Sequence, residues 1–301
     1  MIKSLAVDAK LGLFIALALF TAFYLWILIA AVRRRAKLEP VRPKPQAAAT
    51  GFVTAFFDTL GIGSFATTTS IFRQWRIVDD AVMPGTLNVG ITLPTVVQAY
   101  IYTRLIPVDS RTLILMIAAS VVGAWIGAGV VARWPKPRIQ LGMGVALLIA
   151  AGIFLGQALA FLPSSGDALG LTGGKLAFAI AANFALGALM TLGIGLYGPC
   201  MILVSLLGLT PTAAFPIMMG SCAFLMPVAS ARFIKLDRYD VRAALGLAIG
   251  SIPAVLLAAL IVKSLNITAV RWLVIVVVVY TAIGLLRAAR RERVAAAVAP
   301  A

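Results

Sequence analysis

The chain is 301 residues long, 62% hydrophobic and only 12% charged, with a mean hydropathy of +1.04. A soluble domain of this size carries about twice that charged fraction, so these side chains cannot clothe a water-facing surface; a bilayer is the solvent that suits them. The net charge of +16 does not point to nucleic acid, because the basic residues fall in short runs at the ends of apolar stretches.

The first apolar run, Leu11–Ala31, follows Lys3 and Lys10 and is followed at once by Arg33, Arg34, Arg35 and Lys37. It is long enough to span, and the basic run behind it is a stop-transfer pattern, so it reads as a retained helix and not a cleaved signal peptide. A linker rich in proline and basic residues, Glu39–Pro45, comes next. Apolar segments then run at about 46–72, 81–103, 112–132, 139–162, 176–208, 212–231, 243–262 and 270–286. The longest connection lies near the middle, around Pro163–Gly174.

Two cysteines, Cys200 and Cys222, sit inside apolar stretches, where free thiols behave as small hydrophobes. The chain has no histidine, which takes the commonest metal ligand and proton-transfer side chain out of any mechanism. Neither a metal cluster nor a cofactor motif is expected.

Thr59-Leu60-Gly61-Ile62-Gly63 recurs as Thr191-Leu192-Gly193-Ile194-Gly195, a shift of 132 residues. The same shift carries Ala81 to Ala213 and Pro84 to Pro216, and a shift of 131 carries Asp109, Arg111 and Ser120 to Asp240, Arg242 and Ser251. Several matches at nearly one offset mark a duplication. The expected organisation is an extra N-terminal helix and basic linker over 1–45, a first repeat over 46–175 and a second repeat with a basic tail over 176–301.

The first segment of each repeat exceeds 30 residues, well beyond the ~20 that span a bilayer, and each holds Gly-Ile-Gly near its middle. Either each is one long tilted helix, or each is a re-entrant hairpin of two half-helices that enters and leaves on one side. With hairpins, 19 of the 26 basic residues fall on the cytoplasmic side; with full spans, 17 do. The positive-inside bias therefore favours hairpins. The expected fold is an all-α polytopic transmembrane bundle of two inverted repeats with broken helices, plus the first helix, its N-terminus outside and its C-terminus in the cytoplasm.

Inverted repeats with broken helices place a binding site where the breaks meet, near the membrane midplane. A half-helix starting after Gly63, and another after Gly195, would offer bare backbone N–H groups and a positive dipole end to an anion. The candidate binding residues are Gly61, Gly63, Ser64, Thr67 and Asn88 in the first copy, and Gly193, Gly195, Tyr197, Cys200 and Ser221 in the second. Close helix packing by glycine and threonine is the competing explanation. Asp58 alone among the ten acidic residues lies inside an apolar segment away from a loop. An intramembrane carboxylate is costly, so Asp58 either carries a coupling proton or caps the broken helix. Met190 stands at the matching place. Gln98 and Asn183 are expected to be interhelical hydrogen-bond partners.

The run Gly51-Phe-Val-Thr-Ala-Phe-Phe-Asp-Thr-Leu-Gly-Ile-Gly63, with Ala81-Val-Met-Pro-Gly-Thr-Leu-Asn88, resembles the first half of the sulfite exporter TauE/SafE family. Gly187-Ala-Leu-Met-Thr-Leu-Gly-Ile-Gly195 and Pro216 resemble its second half. The resemblance covers about 46–287. Ser64 and Leu196 stand where the family often has a third glycine, and the first helix is an addition to it. The resemblance implies a bacterial inner-membrane permease with duplicated helical halves that exports sulfite or a small organosulfur anion, without a cofactor. The expected partners are that anion and membrane lipid; a homodimer is left open. The expected mechanism is alternating access. An anion channel would need a continuous polar lining, and a membrane-embedded enzyme would need more than Asp58 and two thiols.

Overall fold

The computed structural model describes residues 2–37, 40–79, 81–131, 136–159, 161, 166–190, 196–264 and 267–298. Among them the chain forms eleven α-helices: α1 (Ile2–Ala36), α2 (Pro45–Thr59), α3 (Ser64–Gln74), α4 (Met83–Leu105), α5 (Ser110–Val131), α6 (Lys136–Ala158), α7 (Gly173–Met190), α8 (Tyr197–Leu206), α9 (Ala214–Lys235), α10 (Val241–Ser264) and α11 (Ile267–Val298). Four stretches, Lys10–Ala36, Gly173–Met190, Pro211–Lys235 and Val241–Ile261, are long and apolar enough to cross a membrane. Large apolar side chains such as Trp26 (70% exposed) and Trp125 (83% exposed) stand on the outside, as lipid and not water requires.

The helices form two compact units, one of Met1–Leu105 with Met219–Ser264, the other of Ile106–Met218 with Leu265–Ala301. Each unit draws helices from both sequence copies. In the first, α10 packs on α2 and α4, α3 packs on α2 and α4, and α1 lies against α4. In the second, α5 packs on α7, α6 packs on α11, and α8 touches α6, α7 and α11. The shift of 131 maps α5 onto α10, so α2–α10 and α7–α5 are the same pairing made twice.

Small residues bring these pairs close. A Cβ at Gly250 would fall on the Ala48 carbonyl and one at Gly51 on that of Leu247, both across α2–α10. Across α5–α7, a Cβ at Gly187 would strike the Ser120 carbonyl and one at Gly123 that of Phe184. Lipid tails are as apolar as leucine, so close backbone approach and interhelical hydrogen bonds do what water exclusion does in a soluble core. Ser251 Oγ donates to the Gly51 carbonyl at 3.1 Å. Asn183 Nδ2 on α7 donates to the Met116 carbonyl on α5 at 2.7 Å. The expectation that Asn183 links two helices holds.

Two positions matched by the sequence shift make the same kind of cap. Asp109 and Asp240, matched by sequence, cap the starts of α5 and α10: Oδ2 of Asp109 accepts from the Thr112 N–H and Oδ1 of Asp240 from the Ala243 N–H, both at 2.9 Å.

Candidate functional site

The first long segment breaks at its Gly-Ile-Gly. Helix α2 stops at Thr59, and the amides of Leu60, Gly61 and Ile62 turn back onto the carbonyls of Phe57 and Asp58 at 2.8–3.1 Å. Gly61 and Gly63 take φ of +98° and +80°, a left-handed region that costs glycine nothing and other residues about 1–2 kcal/mol. Helix α3 then folds back along α2: Thr68 Oγ1 donates to Thr54 Oγ1 at 3.0 Å, and Thr54 donates on to the Thr50 carbonyl at 2.9 Å. The two ends of the segment meet where Lys44 Nζ, just before α2, donates to the carbonyl of Ile77, just after α3, at 2.8 Å.

Asp58 is built into the break. Its carboxyl is buried at 4% exposure. Oδ1 accepts from the Ser64 N–H at 2.6 Å and so caps α3, while Oδ2 accepts from Gln98 Nε2 on α4 at 2.8 Å. The same Gln98 nitrogen donates to Thr59 Oγ1 at 2.9 Å, and Tyr102 Oη donates to the Thr59 carbonyl at 2.8 Å. Thus the last turn of α2, the first turn of α3 and two turns of α4 are held by one buried polar cluster. Gln98 links helices as expected; Thr59 and Tyr102 join the cluster without having been singled out from sequence.

A helix start leaves its first amides without intrahelical acceptors. In α3 the Ser64 amide goes to Asp58, and those of Phe65 and Ala66 follow it on a half-buried and an exposed residue. Among the described residues, its own chain neighbours aside, no heavy atom lies within 4 Å of where a Gly63 Cβ would stand. The Thr67 hydroxyl donates to the Ser64 carbonyl at 2.9 Å. The structure therefore brings Asp58, Gly61, Gly63, Ser64 and Thr67 together.

Asn88 lies elsewhere on α4. Its Nδ2 donates to the Pro84 carbonyl of its own helix at 2.9 Å, and ten residues, about 15 Å of helix rise, separate it from Gln98. Ser221 is fully buried on α9 in the first unit.

The second long segment is helical through Met190 as α7 and again from Tyr197 as α8. Gly193 and Gly195 lie outside the described residues. Its ends also meet: Lys175 Nζ donates to the Leu207 carbonyl at 3.3 Å, and Ala168 pairs with Gly208 and Thr210 through backbone bonds at 3.2 and 3.0 Å. Tyr197 and Cys200 lie on the first turn of α8, both buried, with the Cys200 N–H on the Leu196 carbonyl at 3.0 Å. A Cβ at Gly198 would press on Thr281 of α11, so this turn packs tightly.

A family profile described as Sulfite exporter TauE/SafE matches residues 2–155, which take in α1 and nearly all of the first sequence copy. No curated protein and no solved structure matches the chain.

Proposed function

The chain belongs to the sulfite exporter TauE/SafE family, whose members are membrane permeases of sulfite-like anions, and on that premise we propose that it is a secondary exporter of a small anion such as sulfite or an organosulfur compound. The observation that carries the reading is the start of α3. A helix that begins inside an apolar segment, next to open space at Gly63, presents backbone amides and a positive dipole end without a buried Lys or Arg. Ser64 and Thr67 flank those amides. The second break, at Gly193 and Gly195, with Tyr197 and Cys200 beside it, is proposed as its counterpart. Asn88 and Ser221 are proposed to act on the substrate's path.

The proposed architecture is two inverted repeats with re-entrant hairpins, working by alternating access around the paired breaks. Support comes from hairpin ends that meet at Lys44 and Ile77 and again at Lys175 and Leu207. Further support comes from basic runs gathered at one end of the first unit. Lys44 bonds both Ile77, beside Arg73 and Arg76, and Asp240, beside Arg238 and Arg242, while Arg35 pairs with Asp237 at 2.7 Å. We place that end in the cytoplasm of a bacterial cell, with the protein multi-pass in the inner membrane. Asp58 is the proposed carrier of a coupling proton.

The test is counterflow in proteoliposomes with sulfite, sulfate, thiosulfate and sulfoacetate. The reading expects saturable exchange of at least one of them, stimulated by the same anion on the far side. No movement above empty vesicles would overturn it, and a conductance without trans-stimulation would make the protein a channel. Ser64→Ala with Asn88→Ala should cut the rate at least tenfold; an unchanged rate would remove these residues from the site.

A further inference from the structure

Gln98 is the one member of the break cluster whose hydrogen bonding is half complete. Both hydrogens of its amide nitrogen are used, one on Asp58 Oδ2 at 2.8 Å and one on Thr59 Oγ1 at 2.9 Å. Its oxygen, Oε1, is buried and has no partner among the described residues, and the side chain has no exposure to solvent. A buried acceptor left unmatched costs more than a hydrogen bond gains, so an orphaned oxygen on the side chain that holds an ionisable carboxyl calls for an explanation.

We infer that Gln98 is a positioning residue that reads the charge of Asp58 and sets whether the Ser64 amide is capped. The inference rests on the reading of Asp58 as the proton carrier. With the carboxylate ionised, the amide nitrogen holds Oδ2, and Oδ1 is thereby aimed at the Ser64 N–H. When Asp58 takes up a proton on Oδ2, that oxygen becomes a donor and the two donors conflict. Turning the amide by half a rotation carries Nε2 to the place where Oε1 had no partner, a cost offset only when the Asp58 O–H is there to be accepted, and brings Oε1 to the place Nε2 held. There it accepts the Asp58 O–H and, within the same reach, the Thr59 O–H, which otherwise donates to the Ala55 carbonyl at 2.7 Å. A neutral carboxyl is a weaker acceptor for the Ser64 N–H, because charge-assisted bonds are roughly twice as strong as neutral ones. The first amide of α3 is then released toward an anion in the same step that removes the negative charge beside it.

Among the charged and titratable neighbours, Tyr102 stands close enough to couple to Asp58. Helix α3 brings Arg73, nine residues beyond Ser64. Helix α4 brings Tyr102, on the Thr59 carbonyl, and Arg104, which donates to Tyr100 Oη at 3.4 Å. Helix α10 brings Arg242, on the Arg42 carbonyl at its far end; Lys263 lies outside the described side chains.

The test is infrared difference spectroscopy of the purified full chain in lipid, titrated in pH, with Asp58→Asn, Gln98→Leu and Gln98→Met, the last the closer fit in shape if the leucine variant fails to insert. A carboxylic-acid C=O band that appears on acidification and vanishes in Asp58→Asn is expected, moved to higher frequency in both Gln98 variants as its hydrogen bond is lost. In sulfite counterflow the same variants should flatten the pH profile at least threefold relative to the parent. A band that Asp58→Asn removes but that stays in place in the Gln98 variants would overturn the inference and leave the proton reading standing. If Asp58→Asn removes no band, both fall. The band needs no transported anion, so a wrong substrate would not disturb it.

Discussion

Arg76 and Gly208, 132 residues apart in sequence, hold matching places: each is the left-handed residue just after a helix, α3 in one case and α8 in the other. Arg76 has φ +49° and Gly208 φ +96°. After each, the next amide reaches back over a full turn, Ile77 to the Phe72 carbonyl at 2.9 Å and Leu209 to the Val204 carbonyl at 3.2 Å. This is the glycine-type helix stop, and one copy makes it with arginine.

Arg76→Gly should therefore stabilise the protein. Left-handed backbone costs a non-glycine residue about 1–2 kcal/mol, from which the extra freedom of an unfolded glycine takes back a part. Arg76 is exposed, so little packing is lost. A net gain of about 0.5–1 kcal/mol is expected, with the reverse sign for Gly208→Ala. The measurement is the midpoint of heat-induced loss of the monodisperse peak in size-exclusion chromatography; a drop for Arg76→Gly would contradict the strain argument.

The two lysines that join the ends of the long segments should differ. Lys44 is about a quarter exposed and has two partners, the Ile77 carbonyl at 2.8 Å and Asp240 at 2.6 Å, while Lys175 is exposed with a single contact at 3.3 Å. Lys44→Met is expected to cost about 1–2 kcal/mol and Lys175→Met less than about 0.5. Asp240→Asn should recover part of the loss in Lys44→Met, because it removes the unpaired carboxylate while keeping an acceptor for the Ala243 amide. Equal midpoints for the two lysine variants would show that the segment ends do not depend on these bonds.

Much of this was legible in the residues. Apolar runs give helices, and a Gly-Ile-Gly in the middle of an over-long run gives a break, because glycine alone enters the φ that Gly61 and Gly63 adopt. The role of Asp58 as a cap was one of two readings open from sequence, and the Ser64 amide at 2.6 Å supplies it. The partner across the break was harder. Placing Asn88 beside it assumed that the next helix starts where the break lies. Because α3 returns along α2, α4 instead starts at the far end and arrives at the break only at Gln98 and Tyr102. No spacing rule links position 58 to position 98, and in lipid the buried face carries no polar-apolar period that would reveal it.

The close glycine contacts predict a sharp division among glycine-to-alanine changes. Gly250→Ala and Gly187→Ala would drive a methyl into the carbonyls of Ala48 and Ser120, backbone atoms that cannot move aside. Each is expected to cost about 1–3 kcal/mol and to loosen the α2–α10 or α5–α7 pair. Gly142 and Gly152 on α6 have nothing among the described residues beyond their own helix within 4 Å of the added methyl, so alanine there should be neutral or gain up to about 1 kcal/mol in helix propensity. Thermal midpoints of the four variants decide it, and similar values in both classes would contradict the packing.

The break itself offers the last prediction, separating the cap from the charge. Asp58→Asn keeps an oxygen for the Ser64 amide and a side chain of nearly the same shape, whereas Asp58→Ala leaves the Ser64 amide and one of the two hydrogens of the Gln98 nitrogen without acceptors. Loss of a helix cap costs about 0.5–2 kcal/mol, and the stranded Gln98 donor adds to it. Alanine should thus lower the thermal midpoint well below the parent, with asparagine in between, because its amide nitrogen meets the Gln98 nitrogen unless Gln98 turns. Gln98→Leu combined with Asp58→Ala should cost less than the sum of the two single changes, since Gln98→Leu removes a hydrogen that Asp58→Ala has already left without an acceptor. Strict additivity would mean that the two side chains act apart, and the 2.8 Å contact between them would not be what holds α4 to the break.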